Sequence, residues 1–123
     1  MQFTNDKAIY LQIVELVEEK ILQQEWSLED RIPSVRELGA AIEVNPNTVM
    51  RAYEKLQQEG IIYNKRGIGF FVATQARDSI LKTKRRNFLT HEAPLFFKTA
   101  KLLSVELETL ISLYKQIENH EKN

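Results

Sequence analysis

Pro33-Ser34-Val35-Arg36-Glu37-Leu38 and Asn45-Pro46-Asn47-Thr48-Val49-Met50-Arg51-Ala52-Tyr53 carry the strongest local signals in this chain of 123 residues. Ser34 followed three residues later by Glu37 has the form of a capping box, in which side chain and backbone satisfy each other's free amides. Val35, Leu38 and Ile42 recur at helical spacing, so a helix is predicted over 34–42. Glu43 and Val44 form a turn. Asn45 can accept from a free amide of the next helix, and Pro46 suits its first position because proline has no N–H to leave unpaired. That helix is predicted over 46–59, with Gly60 as its stop. Two helices joined by so short a turn make a helix-turn-helix pattern.

The helix over 46–59 divides by face. At about 100° per residue, Val49, Tyr53 and Leu56 fall together and read as core. Asn47, Thr48, Arg51 and Lys55 fall on nearly the opposite side. Short polar groups near a helix N-terminus, with cations behind them, suit base edges and phosphates respectively. Taken alone, the same face is equally well an ordinary solvated surface.

Downstream, residues 61–72 read as a hairpin. Ile61-Ile62-Tyr63 and Phe70-Phe71-Val72 are short β-type runs around Lys65-Arg66-Gly67-Ile68-Gly69. Two strands alone are marginal, so the hairpin must pack on the helices. Gly67 and Gly69 permit close approach to another backbone, with Lys65 and Arg66 beside them. A phosphate-binding glycine loop is disfavoured, because the run has neither a GxGxxG spacing nor a P-loop lysine. Upstream, Ile9, Ile13, Leu16, Val17 and Ile21 line one face of an amphipathic helix over 7–24. Residues 25–33 read as a connector anchored by Trp26 and Ile32.

Residues 76–123 read as a helical tail, and 1–75 as the domain before it. The stretch 76–90 carries Ile80, Leu81, Phe88 and Leu89 around the basic Lys82, Lys84, Arg85 and Arg86. His91-Glu92-Ala93-Pro94 interrupts, since proline ends a helix. Two further helices are predicted, over 93–102 and 105–119, with Ser104 as the N-cap of the second. Phe96, Ala100, Leu103, Leu107, Leu110, Tyr114 and Ile117 repeat at spacings of four and three, like a heptad seam. Phe88, Phe96, Phe97, Leu103, Leu107, Leu110, Tyr114 and Ile117 need a covering surface. A second copy of the chain is the expected one, as closed dimers dominate oligomers; folding back on the first domain is the alternative. The tail aromatics leave room for an unidentified small-molecule effector, without a specific residue signal.

Composition limits the functional classes. Seventeen basic and seventeen acidic side chains cancel, and residues 1–76 hold eight basic against eleven acidic. Any nucleic-acid surface there must arise from local clustering. There is no cysteine, hence no disulfide framework or thiolate metal site. His91 and His120 are the only histidines, and neither has a metal-ligand spacing or a nucleophile arranged around it. No catalytic residues, metal or cofactor are expected. No apolar run nears the ~18–20 residues that span a bilayer, so the expectation is a cytoplasmic protein without a membrane partner. The fold class predicted is mainly α with a small β-hairpin wing, a winged helix-turn-helix followed by a short helical dimerisation tail.

The quoted stretches, with Leu56, Gly60 and Gly67-Ile68-Gly69-Phe70-Phe71-Val72, resemble the winged helix-turn-helix regulators of the GntR family over about residues 9–72. The Asn-Pro-Asn-Thr-Val stretch and the short tail resemble its YtrA subfamily, dimeric repressors without the large effector domain of their relatives and often tied to transporter operons. The resemblance implies double-stranded DNA as partner. It implies backbone and base contacts from Asn45, Asn47 and Thr48, and phosphate or base contacts from Arg36 and Arg51. Ser34 would cap its helix and reach phosphate. The wing tip, with Lys65, Arg66, Gly67 and Gly69, would lie along the minor groove. Independently of the resemblance, the polar face of the helix over 46–59 offers Lys55 for phosphate affinity. The expectation is a homodimeric repressor reading an inverted-repeat operator. A winged-helix protein-interaction module, which the acidic balance of residues 1–76 permits, is the alternative.

Overall fold

The computed structural model describes residues 3–122, and the side chains of 3–121. The first helix, α1 (Ile9–Leu22), turns Ile13, Val17 and Ile21 into the core, each at most 1% exposed. Burying such a side chain contributes roughly 1.5–3 kcal/mol. Ile9, predicted on the same face, is 44% exposed. No side chain caps the start of α1. Instead the buried Gln12 amide holds the preceding segment: it accepts from Thr4 N at 3.0 Å and donates to the carbonyls of Thr4 and Lys7 at 2.9 and 2.7 Å.

The connector over 25–33 is not only a loop. Glu29 N donates to Val72 O, Val72 N to Asp30 O and Ile32 N to Phe70 O, all within 3.0 Å, and Arg31 bridges Phe71 in antiparallel sense. Residues 29–32 thus form a third strand-like edge on the hairpin. The marginal stability of a two-stranded ribbon explains why it takes a third.

Helix α2 (Val35–Ile42) begins with the predicted box: Glu37 N donates to Ser34 Oγ at 3.1 Å, and Ser34 N to Glu37 Oε1 at 3.2 Å. Glu43 adopts φ 58, and Val44 N returns to Gly39 O at 2.8 Å. A Cβ on Gly39 would stand 2.7 Å from Val44 O, so the tight turn requires glycine there. Helix α3 (Pro46–Gln58) is capped by Asn45, whose side chain accepts from Asn47 N at 2.8 Å. Val49, Ala52, Tyr53 and Leu56 are fully buried. The Tyr53 hydroxyl donates to Pro33 O at 2.7 Å and so ties α3 to the entry of α2. Gly60, at φ 73, ends the helix, and Ile61 N reaches back to Leu56 O.

Strands β1 (Ile62–Lys65) and β2 (Gly69–Val72) pair in antiparallel register, Ile62 with Val72 and Lys65 with Gly69. Phe70 meets the Tyr53 ring edge-on at 5.1 Å, which seats the hairpin on α3. Helix α4 (Ala76–Asn87) adds Ala76 and Ile80 to the same core.

The chain divides into two compact units, one ending at Thr83 and one beginning at Lys84. The first therefore extends past residue 75, because Ala76 and Ile80 belong to its core. In the second unit, the break predicted at His91–Pro94 is absent. A π-helical segment, Phe88–Glu92, runs directly into α5 (Ala93–Leu102), with right-handed helical dihedrals at Asn87, Glu92 and Ala93 and a bond from Ala93 N to Phe88 O. The wider turn relieves the clash between a proline ring and the carbonyl four residues back. Ser104 is likewise not an N-cap. It sits at φ 58, its amide donating to Lys101 O while Val105 N donates to Ala100 O, a Schellman ending of α5. The bend falls where predicted, and α6 (Leu107–Lys122) starts two residues later than expected.

Candidate nucleic-acid interface

The polar face of α3 starts at its cap. Asn45 and Asn47 are exposed, Thr48 is half-buried, and the opposite side of the helix is sealed into the core. Asn45 spends its side-chain oxygen on the cap. The Asn47 side chain stands at the solvent edge, able both to donate and to accept.

The two cations of the stripe are each engaged. The Arg51 guanidinium carbon lies 3.9 Å from the centroid of Tyr10 on α1, a cation–π stack that orients the head group without neutralising it. Lys55 Nζ pairs with Glu59 at 2.6 Å, four residues on, which holds its ammonium in the charged form above its ordinary range. Arg36 is exposed in the first turn of α2, next to the Ser34–Glu37 box. The amide of Ser34, then its hydroxyl, hold the Glu37 carboxyl below its usual value, with Arg31 adding to the effect.

At the hairpin, Arg66, Gly67 and Ile68 form the exposed turn, with Gly67 at φ 79 and Ile68 N bonded to Lys65 O. Lys65 is exposed, and its ammonium lies 4.7 Å from the Phe71 ring centroid. Gly69, at φ 143, faces Arg31. Glu29, on the added edge, accepts from Thr74 and Tyr63, and these bonds lower its pKa.

Two residues that the sequence did not single out therefore touch this surface. Tyr10 lies under Arg51, and Arg31 lies over Gly69. Tyr10 carried only the periodicity of an amphipathic helix. Arg31 follows two acids in an apparent connector, with no alternation to mark a strand. Of the tail residues, Phe88, Phe96, Leu103, Leu107, Tyr114 and Ile117 are each more than half exposed in the single chain. Among the described residues no group of three or more His, Cys, Asp or Glu could hold a metal ion, and no helix is long and apolar enough to cross a membrane.

A capped helix pair, a short turn and a basic hairpin seated on the second helix define the winged helix-turn-helix class of transcriptional regulators. A profile of the bacterial regulatory proteins of the gntR family matches residues 9–72. The chain belongs to that family, and its members are DNA-binding regulators. It is 36% identical over 109 residues to the HTH-type transcriptional repressor YtrA of Bacillus subtilis, covering 89% of this chain and 83% of that protein. Among solved structures, a GntR-family transcriptional regulator from Bacteroides thetaiotaomicron superposes with a TM-score of 0.79 at 41% identity, over 93% of this chain and 99% of that one. The DNA-binding domain of AraR, solved in complex with its operator, matches 59% of this chain and 88% of that one at 27% identity and a TM-score of 0.54.

Proposed function

We propose that this protein is a cytoplasmic, homodimeric repressor of the YtrA type that reads an inverted-repeat operator. The N-terminal turn of α3 enters the major groove, where Asn47 and Thr48 meet base edges. Arg36, Arg51, Lys55, Lys65 and Arg66 serve the phosphates, Ser34 supports them at the start of α2, and the wing tip at Gly67 and Gly69 follows the minor groove. The observation that carries this reading is the division of α3. Its core side is fully buried, while Asn47 stands exposed on the other side beside a cation that is oriented but not neutralised. The operator complex of AraR supports the mode, and the likeness to the repressor YtrA supports repression. The exposed apolar residues of α5 and α6 supply the dimer surface, and the two copies of α3 read half-sites about one DNA turn apart.

The test is a gel shift and footprint on the DNA upstream of the protein's own gene. Protection of two half-sites related by a dyad is expected. No protection, with self-association through α5 and α6 retained, would instead favour a protein-interaction module.

A further inference from the structure

Arg31 lies outside the turn, cap and helix signals that mark the interface, yet the fold brings it there. Its backbone is fixed by the bridge to Phe71 and by the flanking bonds of Asp30 and Ile32 to β2. Its side chain lies across the root of the wing. A Cβ on Gly69 would stand 2.9 Å from Arg31 Nε and 3.6 Å from Cζ and Nη2. The guanidinium thus occupies the space that the missing side chain of Gly69 leaves open. Its charge also adds to the lowering of the Glu37 carboxyl, which is due first to the Ser34 amide and hydroxyl.

Arg31 is exposed, and the ion pairs of Lys7, Lys20 and Lys55 do not involve it. Glu29, two residues before it, is taken by Thr74 and Tyr63. The result is a planar cation with unspent donors at the root of the wing, three residues ahead of the Ser34 cap of α2. Those are the two elements from which Ser34, Arg36 and the glycine-bearing hairpin would approach the duplex. Arginine suits this place better than lysine, because its rigid fork can lie flat against a backbone while its outer donors bind phosphate.

We propose that Arg31 is a DNA-backbone contact, seated by Gly69, that joins the footprint of the wing to that of the helix-turn-helix. The assignment rests on the DNA-binding reading above. It gives a binding role to the space left open at Gly69 and to an edge, 29–32, that also stabilises the hairpin.

The experiment measures binding of the full chain to a mixed-sequence duplex across a salt series, for wild type, Arg31→Gln and Arg31→Lys, with thermal melting of each. A backbone contact predicts roughly tenfold weaker binding for R31Q and a salt slope shallower by about one unit for each phosphate no longer neutralised. R31K should recover the slope but only part of the affinity. Melting close to wild type separates this from a folding defect. R31Q binding with wild-type affinity and slope overturns the assignment while leaving DNA binding intact. A wild type that binds no duplex overturns the DNA-binding reading and this assignment with it.

Discussion

The Arg51 guanidinium stacks on the Tyr10 ring at 3.9 Å, so a residue of α1 sets the direction of a cation on α3, the helix proposed to read DNA. A stack of this kind at an exposed site contributes about 0.5–1 kcal/mol. Tyr10→Phe keeps the ring and should bind DNA like wild type. Tyr10→Leu should bind about two- to fivefold more weakly, in line with that energy. Fluorescence anisotropy on a labelled duplex checks this. Equal affinity for the two variants would remove Tyr10 from the site.

The capping box links Ser34, proposed above to support the phosphate contacts, to acid stability. Ser34→Ala should cost about 1 kcal/mol by removing the bond from Glu37 N, read by urea denaturation at neutral pH.

Glu37 has a folded pKa below its ordinary 4.5, held there chiefly by the Ser34 amide. A carboxylate depressed in the folded state contributes stability that is fully present above its unfolded value and is lost as pH falls through the folded one. Stability should therefore stay level from pH 7 to about 5 and decline below 4.5, with Glu29 adding to the decline for the same reason. Glu37→Gln should flatten that acid limb. An acid limb identical to wild type would show that the carboxylate is not held as described.

Gly39 sits where α2 meets the turn. Gly39→Ala should destabilise by roughly 1–3 kcal/mol, since its Cβ would press to 2.7 Å on the Val44 carbonyl. Gly67→Ala meets no atom within 4 Å and should cost only its left-handed backbone, about 1–2 kcal/mol. Thermal melting ranks the two, and a larger loss at Gly67 would contradict the close approach at Gly39.

The tail seam predicts assembly. Leu107→Glu combined with Ile117→Glu places charges at two positions that are 60% and 61% exposed in the single chain. Sedimentation should move from dimer to monomer while the first unit keeps its melting transition. An unchanged dimer would place the interface elsewhere.

The parts of this architecture that depend on neighbours three or four residues apart were legible in the sequence. The Ser34–Glu37 box, the Asn45 cap before Pro46 and the Gly60 stop each complete themselves within one turn. The added edge at 29–32 was not legible, because its partner β2 lies beyond two helices and its Glu-Asp-Arg run has no strand alternation. Ser104 misled for a related reason. The acids after it resemble a helix start, whereas its dihedral and its bond to Lys101 O belong to the helix before it. A helical wheel separated the core of α3 from its polar face. It could not show that α1 lays Tyr10 beneath Arg51, or that the wing lays Gly69 beneath Arg31, because both are tertiary placements.

Sequence-specific duplex binding through the start of α3 is best measured as the salt dependence of binding to the native upstream DNA, compared for wild type, Asn47→Ala and Arg51→Ala. The predicted wild-type log–log slope is steep, about −4 or beyond for two copies with several phosphate contacts each. Arg51→Ala should lower affinity on every sequence and reduce that slope, whereas Asn47→Ala should keep the slope and lose discrimination between operator and unrelated duplex. A flat salt response, or identical losses for both variants on all sequences, would contradict the assignment of α3 as the reading helix.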